Sequence, residues 1–423
     1  MKEQSFDKYS LSKKIKHSDF YKVKNLTDKN IFDQVIDESY QLAHGLTAPT
    51  ISKTISKNKD VCYVDKLSYK LILRKLQSNL RDKIEGDKLQ RNEIIRNLVS
   101  YLREGVKSKI ICIDLKSFYE SIDIDVLLSK IAKVNSLSYH SKKIIEVVLE
   151  EHRNIGGKGV PRGLEFSSLL ADLYLKDFDE WIKGIDGVFI YKRFVDDIII
   201  MTDHKIDEQV IISSIKNELP KKLCLNEIKT QIIEIKKRSH SPQNAEGKLA
   251  ATIDYLGYKI RVIDTHIPAP AGGGSSEKMA SSVYRKVITG ISDKKIAKIK
   301  TKICKAFYNY ELNRDFSLLI DRVVFLSTNR QLINKDKNRK IPTGIFYNYP
   351  LVSDDSESLK VIDAHLKSLI LGSGSRLAIK LNGSLSNRQI KTLLKISFVR
   401  GFSNKIHKKY SLHRLKEITR IWK

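Results

Sequence analysis

Asp196 and Asp197 stand side by side between two strongly apolar runs, Phe189-Ile190-Tyr191 and Ile198-Ile199-Ile200-Met201. Short β-branched runs around a brief polar break predict a β-hairpin with both carboxylates at its tight tip. Adjacent acids in a hydrophobic neighbourhood repel each other, and burying unpaired charge costs several kcal/mol per ion even after relaxation. Such a site must offer cations, either Lys and Arg or a divalent metal. Asp114 ends another β-like run, Lys109 to Ile113, and if the two strands are neighbours three carboxylates converge on one point. Oxygen ligands without His or Cys select Mg²⁺, with Mn²⁺ as the alternative ion. Two such ions about 3.5–4 Å apart suit in-line phosphoryl transfer. An isolated acid pair is commonplace in solvated turns, so the surroundings have to decide.

The rest of the composition narrows the partner. Among 423 residues, 77 Lys and Arg outnumber 49 Asp and Glu, a formal charge of +28, while 41% hydrophobic content is that of a globular protein of two to three domains. A charge of this size expects a polyanion, nucleic acid before membrane. No window approaches the roughly 20 apolar residues of a spanning helix, and the start, Met-Lys-Glu-Gln-Ser-Phe-Asp-Lys, lacks a signal peptide's apolar core. A cytoplasmic location without membrane contact is the expectation. Cys62, Cys112, Cys224 and Cys304 lie at least 50 residues apart and the ten His show no ligand spacing, which leaves carboxylates as the metal ligands.

Along the chain, residues 1–108 read as a basic helical N-terminal region. Strands dominate the middle, with helical stretches at about 125–150 and 167–183, and loops break the pattern from Arg238 to Lys248 and from Ile267 to Ser276. The latter, with Gly272-Gly273-Gly274-Ser275-Ser276, marks a boundary, whether a natural hinge or an introduced linker. Residues 283–340 read as basic helices, and 388–423 hold 11 Lys or Arg against one acid, Glu417.

Asp114-Leu-Lys-Ser-Phe-Tyr-Glu-Ser-Ile122, then Gly159-Val-Pro-Arg-Gly-Leu-Glu-Phe-Ser-Ser168, then Phe194-Val-Asp-Asp197 occur in this order. Their order and spacing resemble the palm motifs of reverse transcriptases. Leu225-Asn226-Glu227-Ile228-Lys229-Thr230 looks like the family's fourth palm motif, and Tyr255-Leu256-Gly257-Tyr258 like its primer grip; the likeness covers about residues 60 to 262. It implies an α+β right-hand polymerase of fingers, palm with an antiparallel sheet, and thumb, with a helical C-terminal extension. The expected divisions are 1–108 for the N-terminal region and fingers, 109–265 for the palm with a fingers insertion at about 124–155, 266–282 for a flexible linker, 283–340 for a helical thumb, and 341–423 for the basic helical extension.

By the same resemblance Asp114, Asp196 and Asp197 are the catalytic triad, holding two Mg²⁺ together with Leu115, and Lys229 protonates the leaving pyrophosphate. Tyr119, beside Phe118, matches a steric gate that excludes a ribose 2′-hydroxyl, which predicts dNTP substrates; core packing is its alternative. Pro161, Arg162 and Gly163 fall at the incoming nucleotide. Arg162 stands where many members have Gln, a variant associated with the abortive-infection, defence-associated branch of bacterial reverse transcriptases. Gly163 lets backbone approach the nucleotide closely. Arg91 is a triphosphate ligand from the fingers or a solvated helix charge. Leu256, Gly257 and Tyr258 would grip the primer. Six lysines and no acid between Lys294 and Lys305, with Ile296, Ile299 and Ile303 on one face, look like a thumb helix whose Lys294, Lys298, Lys302 and Lys305 track phosphates. Three aromatics in Pro342-Thr-Gly-Ile-Phe-Tyr-Asn-Tyr-Pro350 seal a core or stack bases, with core packing the larger share.

No RNase H or endonuclease signature follows residue 283, and the Asn-Ala-x-x-His element of retron enzymes is missing between Arg91 and Lys109. The expectation is an RNA-directed DNA polymerase of a bacterial antiphage system, copying an associated noncoding RNA into DNA. Its partners would be that RNA, the DNA product, dNTPs and a second reverse transcriptase subunit in a two-polymerase, higher-order assembly. A template-independent or protein-primed DNA polymerase, an RNA-dependent RNA polymerase and a catalytically silent RNA-binding scaffold are the alternatives. Tyr119 argues against ribonucleotides, and the three acids together argue against the scaffold.

Overall fold

The computed structural model describes residues 3–56, 58–84, 90–238, 247–266, 283–334 and 339–422. The Gly-rich boundary at 267–282 and most of the loop after Arg238 lie outside these residues. The chain divides into two compact units, one of the residues up to Gln90 with Ser108–Glu234, the other of Arg91–Lys107, Ile235–Asn334 and the residues from 339 on. No helix among the described residues is long and apolar enough to cross a membrane.

The first unit opens with helices and a hairpin, β1 (Ile51–Ser56) and β2 (Lys59–Val64). Its sheet consists of β3 (Ser108–Asp114), β4 (Val188–Phe194), β5 (Asp197–Asp203) and β6 (Gln231–Ile235), in the order β4-β5-β3-β6. β3 and β5 are buried along nearly their whole length, which is why their sequences are continuous Ile runs rather than alternating ones. Helices Ile124–Ala132, Tyr139–Asn154 and Ser167–Lys183 occupy the two helical stretches expected from sequence. Asp123 and Ser138 cap the first two, each side chain accepting from backbone N–H groups of the first turn. Helix Ser167–Lys183 packs on β4, and Tyr174, Phe118 and Phe166 fill the core.

The second unit holds a three-stranded antiparallel sheet, β7 (Lys248–Tyr255), β8 (Tyr258–His266) and β9 (Val283–Ile291). Helix Arg91–Arg103 packs on β8 and β9 through its buried Ile94, Ile95, Leu98 and Leu102 face. Arg285 of β9 and Asp264 of β8 form a buried ion pair at 2.8 Å. Helices Asp293–Asn313 and Phe316–Ser327 follow, then a hairpin of β10 (Asn329–Asn334) and β11 (Arg339–Gly344), then helices Ser358–Leu371, Arg376–Ser384, Asn387–Leu394, Phe398–Ser403 and Leu412–Thr419.

Two stretches expected to be helical are therefore partly β. The hairpin at 51–64 lies in the basic N-terminal region, and β9 and the β10–β11 hairpin lie within 283–344. In β9 the β-branched Val283, Val287, Ile288, Thr289 and Ile291 outweigh the basic Arg285 and Lys286.

Candidate active site

β3 and β5 pair antiparallel in a register that sets Asp114 opposite Asp197. Like charges facing each other across a ladder destabilise it, so this pairing needs a cation. Asp196 lies in the two-residue turn between Phe194 and Asp197, which are themselves partners. Its backbone carbonyl accepts the Leu115 N–H at 3.1 Å, tying the tip of the β4–β5 hairpin to the end of β3. The backbone thus brings the positions of all three acids to one end of the two interior strands, β5 and β3.

The first turn residue, Val195, has φ +63°. A β-branched side chain at positive φ is an outlier that costs about 1–3 kcal/mol and persists only where surroundings hold it. Arg193, with only 7% of its side chain exposed, donates from Nη1 to the Val195 carbonyl at 3.2 Å and to Asp172 Oδ1 at 3.2 Å. Its Nε and Nη2 take the two oxygens of Asp179, which also accepts the Tyr191 hydroxyl. Burial alone would pull the Arg193 pKa down, but Asp179 outweighs it and the group stays charged.

The cation at the acids is Lys229. The turn Asn226–Thr230 presents its ammonium to Asp114 at 2.9 and 3.0 Å, and the Asn226 amide donates to the same carboxylate at 2.9 Å. The hydrogen bond to Asp114 raises the Lys229 pKa, burial opposes it, and the charges of Asp114, Asp197 and Asp196 add to the rise. Among the described residues no three side chains already stand as a metal cage. The donor chemistry nevertheless fits a hard divalent ion: three carboxylates act on one cation, and an ammonium stands where a positive charge is required. Lys229 is held here as the ion-pair partner of Asp114.

Tyr119 begins a short 3-10 turn after β3. Burial pushes its hydroxyl pKa up. The Arg162 guanidinium lies 4.9 Å from its ring centre and donates to both oxygens of Glu120 at 3.2 Å. Burial raises the Glu120 carboxyl, but the Arg162 fork and other partners outweigh it and hold it below its ordinary value. The Arg162 carbonyl accepts the Cys62 N–H of β2 at 2.6 Å, while the carbonyl of buried Pro161 accepts the Ser167 hydroxyl at 2.6 Å. Gly163, at φ +109°, lies against the same strand, where an added Cβ would fall 2.6 Å from the Cys62 carbonyl oxygen. The close approach this glycine permits is that of the β1–β2 hairpin.

Several expected residues act otherwise than anticipated. Phe118 is 1% exposed and belongs to the core, so its ring is not open to a nucleotide. Leu115 is likewise buried, and it reaches the site through its backbone. Arg91 lies in the second unit, where Nε and Nη1 donate to the carbonyls of Leu256 and Asn348, both at 2.8 Å, and the guanidinium stacks near Tyr258 and Tyr349. It fastens the β7–β8 turn rather than reaching toward a triphosphate. That turn is Leu256-Gly257, both at positive φ, the geometry of a two-residue type I′ hairpin, and Tyr258 beyond it is buried. Lys294, Lys298 and Lys305 are exposed on helix Asp293–Asn313, whereas Lys302 lies over the Trp422 ring at 5.4 Å and burial pulls its pKa down. In the 342–350 stretch half-buried Phe346 packs on Phe402 and half-buried Tyr349 on Tyr258. Sequence reading missed Glu120, Arg193, Asp172, Asp179 and Asn226. Only Arg162 signalled a partner in advance, since an extra cation at a motif position calls for an acid.

Residues 55–260 match the family described as reverse transcriptase (RNA-dependent DNA polymerase). That stretch is thus similar to a reverse transcriptase domain. Similar solved structures include apo telomerase from Candida tropicalis, at 13% identity over 93% of this chain and 65% of that one, TM-score 0.38. Its form truncated from the C-terminal domain gives 17% identity over 51% and 54%, TM-score 0.36. Telomerase from Candida albicans with a fragment of telomeric RNA gives 16% over 88% and 61%, TM-score 0.33. The chain thus spans 54–65% of the length of these structures. No curated protein matches the sequence.

Proposed function

We propose that the chain copies an RNA template into DNA by nucleotidyl transfer from dNTPs, with Asp114, Asp196 and Asp197 as the acids that hold two Mg²⁺. The observation that carries this reading is the register of Asp114 against Asp197 beside the Asp196 turn, with the Lys229 ammonium drawn in by all three. Mg²⁺, when bound, would lower the pKa of a primer 3′-hydroxyl and neutralise the triphosphate. Asp114 would exchange the Lys229 ammonium for that ion, and Lys229, still protonated, would face the leaving pyrophosphate. Tyr119, held between its buried surroundings and the Arg162–Glu120 pair, would exclude a ribose 2′-hydroxyl. Exposed Lys294, Lys298 and Lys305 would follow phosphates, and Leu256, Gly257 and Tyr258 the primer.

The finer reading is a bacterial antiphage enzyme in the cytoplasm, bound to a dedicated noncoding RNA and to a second polymerase in a larger assembly. Its support is the Pro161-Arg162-Gly163 variant and the helical, basic C-terminal region.

The test is to purify the chain with its bound nucleic acid, add labelled dNTPs or rNTPs with Mg²⁺, and sequence both the RNA and the product. Deoxynucleotide product complementary to a copurified RNA, absent in Asp196→Ala, is the expected result. Product whose sequence ignores the RNA would indicate template-independent synthesis, and no metal-dependent product would indicate a scaffold. Loss of phage protection in cells carrying Asp196→Ala tests the defence role.

A further inference from the structure

The tip of the β4–β5 hairpin is held from two sides. One is the backbone bond from Leu115 N–H to the Asp196 carbonyl. The other is a side chain. Arg193 divides its fork between the hairpin and helix Ser167–Lys183, whose Asp172 and Asp179 lie seven residues apart, two turns along one face. Four of its hydrogen bonds go to these acids and to Val195, and the bond from Nη1 to the Val195 carbonyl is the one that reaches the turn. Val195 takes a positive φ of 63° with a β-branched side chain, a conformation it would leave without an external hold. A change of its φ would swing the next residue, Asp196, out of line with Asp114 and Asp197.

We propose that Arg193 is a positioning residue that clamps Val195 in its strained conformation and so aims the Asp196 carboxylate at a divalent cation. The inference rests on the polymerase reading above. It distinguishes the clamp from a merely structural arginine that neutralises Asp179, because only the clamp makes the need for Arg193 depend on what residue occupies position 195.

Glycine adopts positive φ without steric penalty, so Val195→Gly should remove that need. The experiment compares the full chain with Arg193→Lys, Val195→Gly and the double variant, reading Mn²⁺ binding by the loss of the free-ion electron paramagnetic resonance signal and folding by metal-free thermal melts. Lysine keeps a positive charge beside Asp179 but lacks the planar fork. Arg193→Lys should weaken Mn²⁺ binding about 10–100-fold, the range seen when a ligand's supporting partner is lost, and Val195→Gly in the same chain should restore most of it. Unchanged binding in Arg193→Lys overturns the clamp, as does a folded double variant that binds as weakly as Arg193→Lys alone. If Arg193→Lys melts below the assay temperature, Arg193→Leu with Asp179→Asn, which strands no charge in that pair, takes its place in the same comparison. A wild-type chain with no Mn²⁺ binding that Asp196→Ala abolishes refutes the polymerase reading and the clamp with it, whereas wild-type binding with an indifferent Arg193 refutes the clamp alone.

Discussion

Replacing Gly163 with Ala tests how the Pro161-Arg162-Gly163 turn is joined to β2. An added Cβ would lie 2.6 Å from the Cys62 carbonyl oxygen and 2.6 Å from Val61 Cγ1. The Val61 methyl can rotate away, but the carbonyl is backbone, fixed by the bond from Cys62 N–H to the Arg162 carbonyl. Two costs follow. Holding an alanine at φ +109° costs about 1–3 kcal/mol, and forcing the strand to yield costs about 1–3 kcal/mol more. Gly156 supplies the control, since it has φ +73° with nothing within 4 Å of its notional Cβ, so Gly156→Ala carries a positive-φ cost without a clash. The chain has two tryptophans, Trp181 in the first unit and Trp422 in the second. Urea unfolding followed by fluorescence in a Trp422→Phe background therefore reports on the unit that contains Gly163. The expected result is a lower midpoint with unchanged slope, and a destabilisation exceeding that of Gly156→Ala by about 1–3 kcal/mol. Equality of the two variants within about 0.5 kcal/mol, the scatter of ordinary surface changes, would refute the close docking of hairpin and turn.

Tyr119→Ala should raise incorporation of rNTPs relative to dNTPs by at least about tenfold, equivalent to about 1.4 kcal/mol of discrimination, read in competition assays; an unchanged ratio would remove the gate role. Glu120 has a carboxyl pKa held below its ordinary value, so the folded state binds its proton less readily than the unfolded chain. Its stabilising contribution is present above the ordinary Glu value and is lost as the pH falls through the lowered one. The wild-type melting temperature should consequently drop more steeply than that of Glu120→Gln between about pH 5 and pH 3, the acid side of the ordinary Glu pKa; parallel curves would contradict the pairing with Arg162. Asp264→Asn leaves the buried Arg285 charge uncompensated and should destabilise the second unit by about 3–5 kcal/mol, measured through Trp422 in a Trp181→Phe background, whereas a loss below about 1 kcal/mol would mean water reaches Arg285.

The β4–β5 hairpin and its acids were readable from sequence because a continuous apolar run interrupted by two carboxylates has few alternatives. Helices Tyr139–Asn154 and Ser167–Lys183 were readable for a similar reason, their apolar residues recurring at helical spacing. The β1–β2 hairpin was hidden because its strands, Ile51–Ser56 and Lys59–Val64, intersperse Lys and Ser with β-branched residues, and nothing local tells a half-exposed strand from a basic helix. Arg91, Lys302 and Phe118 show a different limit. Residue type and motif position suggested ligand contacts, yet Arg91 finds two carbonyls from Leu256 and Asn348, Lys302 finds Trp422, and Phe118 finds the core. Those partners lie far along the chain, and only the fold selects them. Arg193 was overlooked for the converse reason: adjoining a recognised motif, it looked like one more basic residue in a chain of charge +28.

Helix Arg91–Arg103 precedes most of the first unit in sequence but completes the second, where it packs on β8 and β9. During synthesis its apolar face of Ile94, Ile95, Leu98 and Leu102 must wait until β9, which ends at Ile291, has been made. At about 5–20 residues per second that interval is roughly 10–40 s, while the intervening Ser108–Glu234 segment of the first unit is already emerging. A nascent chain therefore carries this helix without its native β8 and β9 partners through that interval. Cutting the gene between the units would also yield no complete half, because the first unit has the second's helix threaded through its sequence.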